Sequence, residues 1–236
     1  MSNNYFEFKQ FTVKQDRCGM KVGTDGTLLG AWAFAPAKRC RILDIGTGTG
    51  LIALMMAQRY PEAQIVGIDI DEAAVIQATE NVSVSPFADR ITILQQDVAI
   101  YEPEEQFDAI VSNPPYFVDA LTCPNEQRSV ARHTVSLTYG TLIRSVYRLL
   151  KTDGYFSVVI PTESRSKLEA CARLEGFFVS KVCCIKTTPK KPSKRQLIEF
   201  IKTPVKEFIT SDKIIETFPN VRSEWYQELT NDFYIR

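Results

Sequence analysis

The 236-residue chain has a single histidine, His133, and its six cysteines form no C-x-x-C pair. Scattered cysteines without neighbouring histidines supply neither a zinc site nor a disulfide framework, so no metal is expected. A lone histidine also weighs against histidine-based acid/base chemistry. No apolar run approaches the ~18 residues needed to cross a bilayer, and the opening MSNNYFEFKQF lacks the basic-then-apolar order of a secretion signal. A cytoplasmic protein without a membrane partner is expected, as a monomer or weak homodimer. Net charge is absent as well, since 28 Lys and Arg balance 28 Asp and Glu. That balance hides a segregation. Residues 61–108 hold eleven acidic side chains against one basic, and residues 181–206 hold eight basic against one acidic. Local fields, not the sum, therefore govern the choice of partner, and a polyanion is not excluded.

At 44% hydrophobic, the chain can bury the core of one sizeable domain. Short apolar runs predict strands over residues 40–45, 64–70, 91–96, 107–112, 155–160, 177–186 and 196–202, and helical periodicity fills 51–59, 72–82, 142–150 and 166–175, the last closed by Gly176. This alternation predicts an α/β domain, a parallel sheet with helices on both faces. Only about nine residues, TTPKKPSKR, join the last two strands, too few for a parallel crossover. The sheet is thus expected to have seven strands, the seventh antiparallel. Residues 37–206 form the expected core, 1–36 an ordered N-terminal extension and 207–236 a C-terminal addition.

The first strand runs into LDIGTGTG, with Gly46, Gly48 and Gly50 placed where an open α/β sheet receives its ligand. The spacing is G-x-G-x-G, unlike a dinucleotide fingerprint or a P-loop, and Asp44 just before it would repel phosphate. The second strand ends at Asp69 and Ile70, the third at Asp97 and Val98. Asp69 can accept hydrogen bonds from ribose hydroxyls and Asp97 from an adenine amino group. Three carboxylates at successive strand tips suit a cationic, phosphate-free nucleoside such as S-adenosylmethionine, although Asp is also a common turn residue at strand ends.

The fourth strand ends in SNPPYF, residues 112–117. An adenine amino group is a poor nucleophile because its lone pair is delocalised into the ring. A site can accept hydrogen bonds from both of its N–H groups and so turn the lone pair towards a methyl donor. The Asn113 side-chain oxygen and the Pro114 carbonyl supply two such acceptors, with the backbone direction restricted by Pro114 and Pro115. Tyr116 and Phe117 offer rings for a base, a stacking contact worth roughly 1 to 3 kcal/mol.

The run from Asp44 to Gly50 followed by Asn113 to Tyr116 resembles the Rossmann-type methyltransferases of planar amino groups, which act on DNA or RNA adenine N6, cytosine N4, guanine N2 or the glutamine amide of a protein. FTVKQDRCGMKVGTDGTLLGAW (11–32), SPFADRI (85–91), QRSVARHTVSL (127–137) and LTNDFY (229–234) resemble the bacterial tRNA1(Val) adenine-37 N6-methyltransferases. The resemblance implies the class I methyltransferase fold, S-adenosylmethionine as cofactor, and methylation of the adenosine 3′ of the anticodon. It also implies that Lys21, Thr24 and Asp25 lie near the methionine end of the cofactor, although VGTDG by itself reads as a tight turn. In that setting Arg128, Arg132 and His133 would order over the target base, and Lys190, Lys191, Lys194 and Arg195 would contact the anticodon loop. A solvated charged hairpin is the plainer reading of the last four. A glutamine methyltransferase is expected to need a longer N-terminal domain, and a DNA methyltransferase a larger C-terminal one. An inactive cofactor- and RNA-binding module would have little use for an intact NPPY.

Overall fold

The computed structural model describes residues 4–17, 21–36, 38–115 and 137–235. The chain runs β1 (Tyr5–Glu7), β2 (Thr12–Lys14), α1 (Thr24–Trp32), β3 (Arg41–Ile45), α2 (Leu51–Arg59), β4 (Gln64–Asp69), α3 (Glu72–Ser83), β5 (Ile91–Gln95) and β6 (Phe107–Ser112). It continues through α4 (Tyr139–Leu149), β7 (Leu150–Pro161), α5 (Arg165–Leu174), β8 (Phe178–Lys186), β9 (Arg195–Ile201), β10 (Ile209–Ile214), β11 (Glu216–Phe218), β12 (Val221–Arg222) and α6 (Glu224–Thr230).

The main sheet has the order β10-β8-β9-β7-β6-β3-β4-β5. Strands β3 to β7 pair in parallel, and β9 lies antiparallel to both β7 and β8. The short basic connection thus makes a hairpin, as its length requires. The expected count of seven strands is corrected to eight. The extra strand, β10, pairs in parallel with β8 and comes from the C-terminal addition. Its sequence, ITSDKI, is an edge with no buried residue and lacks the apolar run by which inner strands are read.

Alternate residues of each strand serve opposite faces. On β3, Ile42 joins one apolar cluster with α1 and α2, whereas Leu43 and Ile45 join the other with α4 and α5. Gly176, at φ +93°, ends α5 in the left-handed conformation that glycine accepts most readily. Strand β7 begins at Leu150, earlier than its apolar run suggested, because the buried Leu150 leaves α4 directly and pairs with Phe107.

The tight turn expected at VGTDG is also corrected, since Thr24, Asp25 and Gly26 are the first turn of α1. Two glycines, weak helix formers, mask this helix in the sequence. They serve a crossing rather than a turn. A Cβ at Gly26 would meet Leu51 at 3.1 Å, and one at Gly30 would meet the sulfur of Met55 at 2.7 Å. Their absence of side chain lets α1 lie against α2, which brings its N-terminus over the loop after β3.

Candidate active site

The chain fills β3, β4 and β5 outward, then returns to place β6 on the other side of β3. In open α/β sheets that reversal opens a crevice at the carboxyl ends of the strands. The loops after β3 and β6 meet there, with Ile45 opposite Ser112. The Ser112 hydroxyl donates to the Ile45 carbonyl at 2.9 Å and holds the two strand tips together.

The loop after β3 turns on Gly46, Gly48 and Gly50, all at positive φ. The N–H groups of Gly46 and Thr47 donate to the Ile68 carbonyl, and that of Gly48 to Asp69 Oδ2 at 2.9 Å. A Cβ built at Gly46 meets nothing within 4 Å, so backbone is bared to the crevice. Gly50 serves the turn into α2 instead, its virtual Cβ lying 3.4 Å from Ala78.

Asp44 is fully buried beneath this loop. Its Oδ2 accepts from the Thr47 hydroxyl at 2.7 Å and from the Ala53 N–H at 3.2 Å, while Oδ1 has no hydrogen-bond partner. Burial pushes its pKa up to about 7. The nearby Asp69 adds to the rise, and the bonds from Thr47 and Ala53 oppose it. A buried polar atom left unpartnered costs about 1–3 kcal/mol. Asp44 does not itself line the crevice; when ionised it places negative charge beneath the bare glycine backbone, a field that favours a cationic ligand.

At the tip of β4, Asp69 accepts from Gly48 and Asp71 N–H groups, one on each oxygen. A carboxylate has about four acceptor positions, so both oxygens can still receive a ribose hydroxyl. Ile70 beside it is an exposed apolar side chain, available to a flat ring. Asp97 uses Oδ1 to accept from its own turn, at Ala99 N–H, 2.8 Å away. That is the turn chemistry Asp supplies at strand ends, and it leaves Oδ2 for a ligand. The side chain of Val98 is buried in the second core cluster, so Val98 can meet a ligand only through its main chain.

A cavity of about 290 Å³ brings several of the sequence candidates together, with Lys21, Thr24, Asp25, Gly46, Gly48, Asn113 and Arg195 among its lining residues. A larger groove of about 790 Å³ lies between α1 and α6 and shares Gly23 and Thr24 with it. Asn113 is partly exposed, Pro114 buried and Pro115 exposed. Tyr116, Phe117, Arg128, Arg132 and His133 lie outside the described residues.

Lys190, Lys191 and Lys194 are exposed on the β8–β9 hairpin. Arg195 does not share their setting. It opens β9 and forms an ion pair with Asp25 at 2.7 Å, both lining the cavity of about 290 Å³. Sequence reasoning assigned these two residues to different ligands, and no local pattern pairs them. The missed role of Thr47, bonding Asp44 three residues back, follows the familiar habit of hydroxyl side chains in strand-to-helix turns.

Among the described residues, no group of three or more His, Cys, Asp or Glu is arranged to hold a metal, and no helix is long and apolar enough to cross a membrane.

This crevice on this sheet defines a class I S-adenosylmethionine-dependent methyltransferase. The fold is shared with a predicted O-methyltransferase from Agrobacterium tumefaciens, at a TM-score of 0.69 and 21% identity, over 89% of this chain and 96% of that one. It is shared too with the glycopeptide N-methyltransferase MtfA complexed with S-adenosylmethionine, at 0.57 and 12%, over 78% and 90%. The Methyltransferase small domain family matches residues 24–187. The chain is 49% identical to the tRNA1(Val) (adenine(37)-N6)-methyltransferase of Bacteroides thetaiotaomicron over 100% of its own length and 99% of the relative's. It is 44% identical to the protein of the same name from Yersinia pseudotuberculosis, over 98% and 92%. The chain belongs to the tRNA1(Val) (adenine(37)-N6)-methyltransferase family.

Asp69 carries a direct test. Replacing it with alanine removes the strand-tip acceptor and should weaken S-adenosylmethionine binding by roughly tenfold or more, since hydrogen bonds to charged groups contribute about 1.5–3 kcal/mol. Calorimetric titration measures this, and an unchanged affinity would remove Asp69 from the site.

Proposed function

We infer that the protein methylates N6 of adenosine 37 in tRNA1(Val), working in the cytoplasm on the anticodon loop. The observation that carries this reading is the placement of Asn113 at the tip of β6, lining the same cavity as the bare glycine loop. S-adenosylmethionine supplies an electrophilic methyl group on a sulfonium sulfur. Asp44, Asp69, Ile70 and Asp97 would hold its amino, ribose and adenine parts. The Asn113 oxygen and the Pro114 carbonyl accept from the two N–H groups of the target amine and aim its lone pair. Neutral acceptors suffice because the amine would gain acidity as its nitrogen bonds to the methyl carbon and the sulfur–methyl bond breaks, leaving a neutral thioether, with the proton lost late to solvent. The chain thus acts chiefly by positioning, and alignment of reactants is a large source of rate.

The target base must leave the loop stack to reach the cavity, as enzymes working on bases require. Tyr116 is the ring proposed to receive it, with Phe117, Arg128, Arg132 and His133 around the entry. The exposed Lys190, Lys191 and Lys194 neutralise backbone phosphates. Changing these three lysines together to alanine should lower tRNA affinity and reduce its salt slope by about 0.7–0.9 for each phosphate no longer neutralised. An unaltered slope in filter binding from low to moderate salt would make the hairpin a merely solvated one. The substrate assignment is tested with unmodified tRNA1(Val) transcripts. Methyl incorporation is expected with adenosine at position 37 and none with guanosine there. Equal incorporation into both would refute the position.

A further inference from the structure

The cofactor-side cavity is electrically polarised. Beneath its glycine floor lies the buried, partly unsatisfied Asp44 carboxylate, and its wall carries two cationic side chains, Lys21 and Arg195, against one carboxylate, Asp25. A free amino acid moiety has the matching polarity, with an ammonium at one end and a carboxylate at the other.

Arg195 stands at the cavity wall beside a single carboxylate. Its Nε lies 2.7 Å from Asp25 Oδ1, with the two side chains 25% and 14% exposed. A guanidinium carries five N–H donors in a rigid fork. Its contact with Asp25 is one of charge and not an aligned hydrogen bond, and among the described residues Arg195 forms no other ion pair. The Asp25 anchor sits in the first turn of α1, fixed in turn by the glycine crossing onto α2. The charge contact keeps the guanidinium at the cavity wall, which lowers the ordering cost of binding an anion there.

Two anions could meet such a fork, the carboxylate of the cofactor's methionyl group or an RNA phosphate. Location favours the first. Arg195 shares the cavity with Gly46 and Gly48, whereas Lys190, Lys191 and Lys194 stand exposed on the hairpin beyond it. We propose that Arg195, oriented by Asp25, binds the α-carboxylate of S-adenosylmethionine and makes the site selective for carboxylated over decarboxylated cofactor. This rests on the assignment of S-adenosylmethionine to the crevice and moves Arg195 from the RNA to the cofactor. Asp25 is its positioning residue.

The test is calorimetric titration of the full chain with S-adenosylmethionine and with decarboxylated S-adenosylmethionine. Wild type should prefer the carboxylated ligand by roughly ten- to hundredfold, the range of one charge-assisted fork. Arg195→Gln should lose most of that preference by weakening the carboxylated ligand alone. Its affinity for the decarboxylated ligand should stay within about twofold, which also certifies its fold. Arg195→Lys should fall between, keeping charge without the fork. Equal loss for both ligands would make the pair a structural tie and overturn the proposal. Unchanged cofactor affinity with a flattened salt dependence of tRNA binding would overturn it in favour of phosphate. If wild type bound neither ligand, the cofactor assignment itself would fail, and this inference with it.

Discussion

Replacing Asn113 with alanine should slow methyl transfer by about 10²–10³-fold, the usual loss when one preorganised hydrogen-bonding group aimed at a reacting centre is removed. The affinity for S-adenosylmethionine should change by no more than a few-fold. The asymmetry follows from geometry. Asn113 sits at the end of β6, pinned through Ser112 to the tip of β3, so its backbone survives the change. The residues proposed to hold the cofactor's charged and ribose groups, Asp44 and Asp69, lie on β3 and β4. What alanine removes is one of the two acceptors proposed for the target amine. Single-turnover transfer from labelled cofactor measures the rate and calorimetry the binding. A variant that keeps a third or more of its rate would show that Asn113 does not aim the nitrogen.

Asp44 should make the affinity for cofactor depend on pH. Burial raises its pKa from 3.8 to about 7, so the ligand-free protein keeps this carboxyl protonated where an unfolded chain would release the proton. A raised carboxyl pKa favours the folded state below the unfolded value, and that contribution is lost as pH rises through about 7. The ligand-free protein should therefore lose stability from this group between about pH 4 and 7, by a few kcal/mol at most, at about 1.4 kcal/mol per pKa unit. Cofactor binding has the opposite trend. On the proposed assignment the ionised Asp44 attracts the cofactor's ammonium from beneath the glycine loop, so wild-type affinity should climb from pH 5.5 to 7.5, approaching about tenfold per unit at the acid end. Asp44→Asn should abolish the climb and bind roughly ten- to hundredfold more weakly at pH 7.5. It should also unfold at a higher temperature than wild type at that pH when no ligand is present. A slope that persists in Asp44→Asn would assign the titration to another group.

The sequence was most legible where backbone demands are sharpest. Glycines at a strand end, prolines after an apolar run and a connection too short to cross a sheet each leave few conformations, and the loop after β3, the tip of β6 and the antiparallel β9 all lie where those features put them. Elements whose residues serve a partner rather than themselves were hidden. Gly26 and Gly30 look like breakers until Met55 and Leu51 of α2 are set beside them. The polar edge strand β10 takes its conformation from pairing with β8. In the site, residue types pointed to carboxylates and acceptors, but charge state depended on packing. Nothing local in LDIGT says that one oxygen of Asp44 is left without a partner, and Arg195 meets Asp25 only because α1 crosses the crevice.

Paired acceptors at the β6 tip are proposed to select an exocyclic nitrogen. Wild-type protein, S-adenosylmethionine and unmodified tRNA1(Val) can be incubated together, the RNA digested, and the methylated nucleoside identified by mass spectrometry. N6-methyladenosine as the product is the predicted result. A methyl group on a ring nitrogen, a ring carbon or a ribose oxygen would contradict the account.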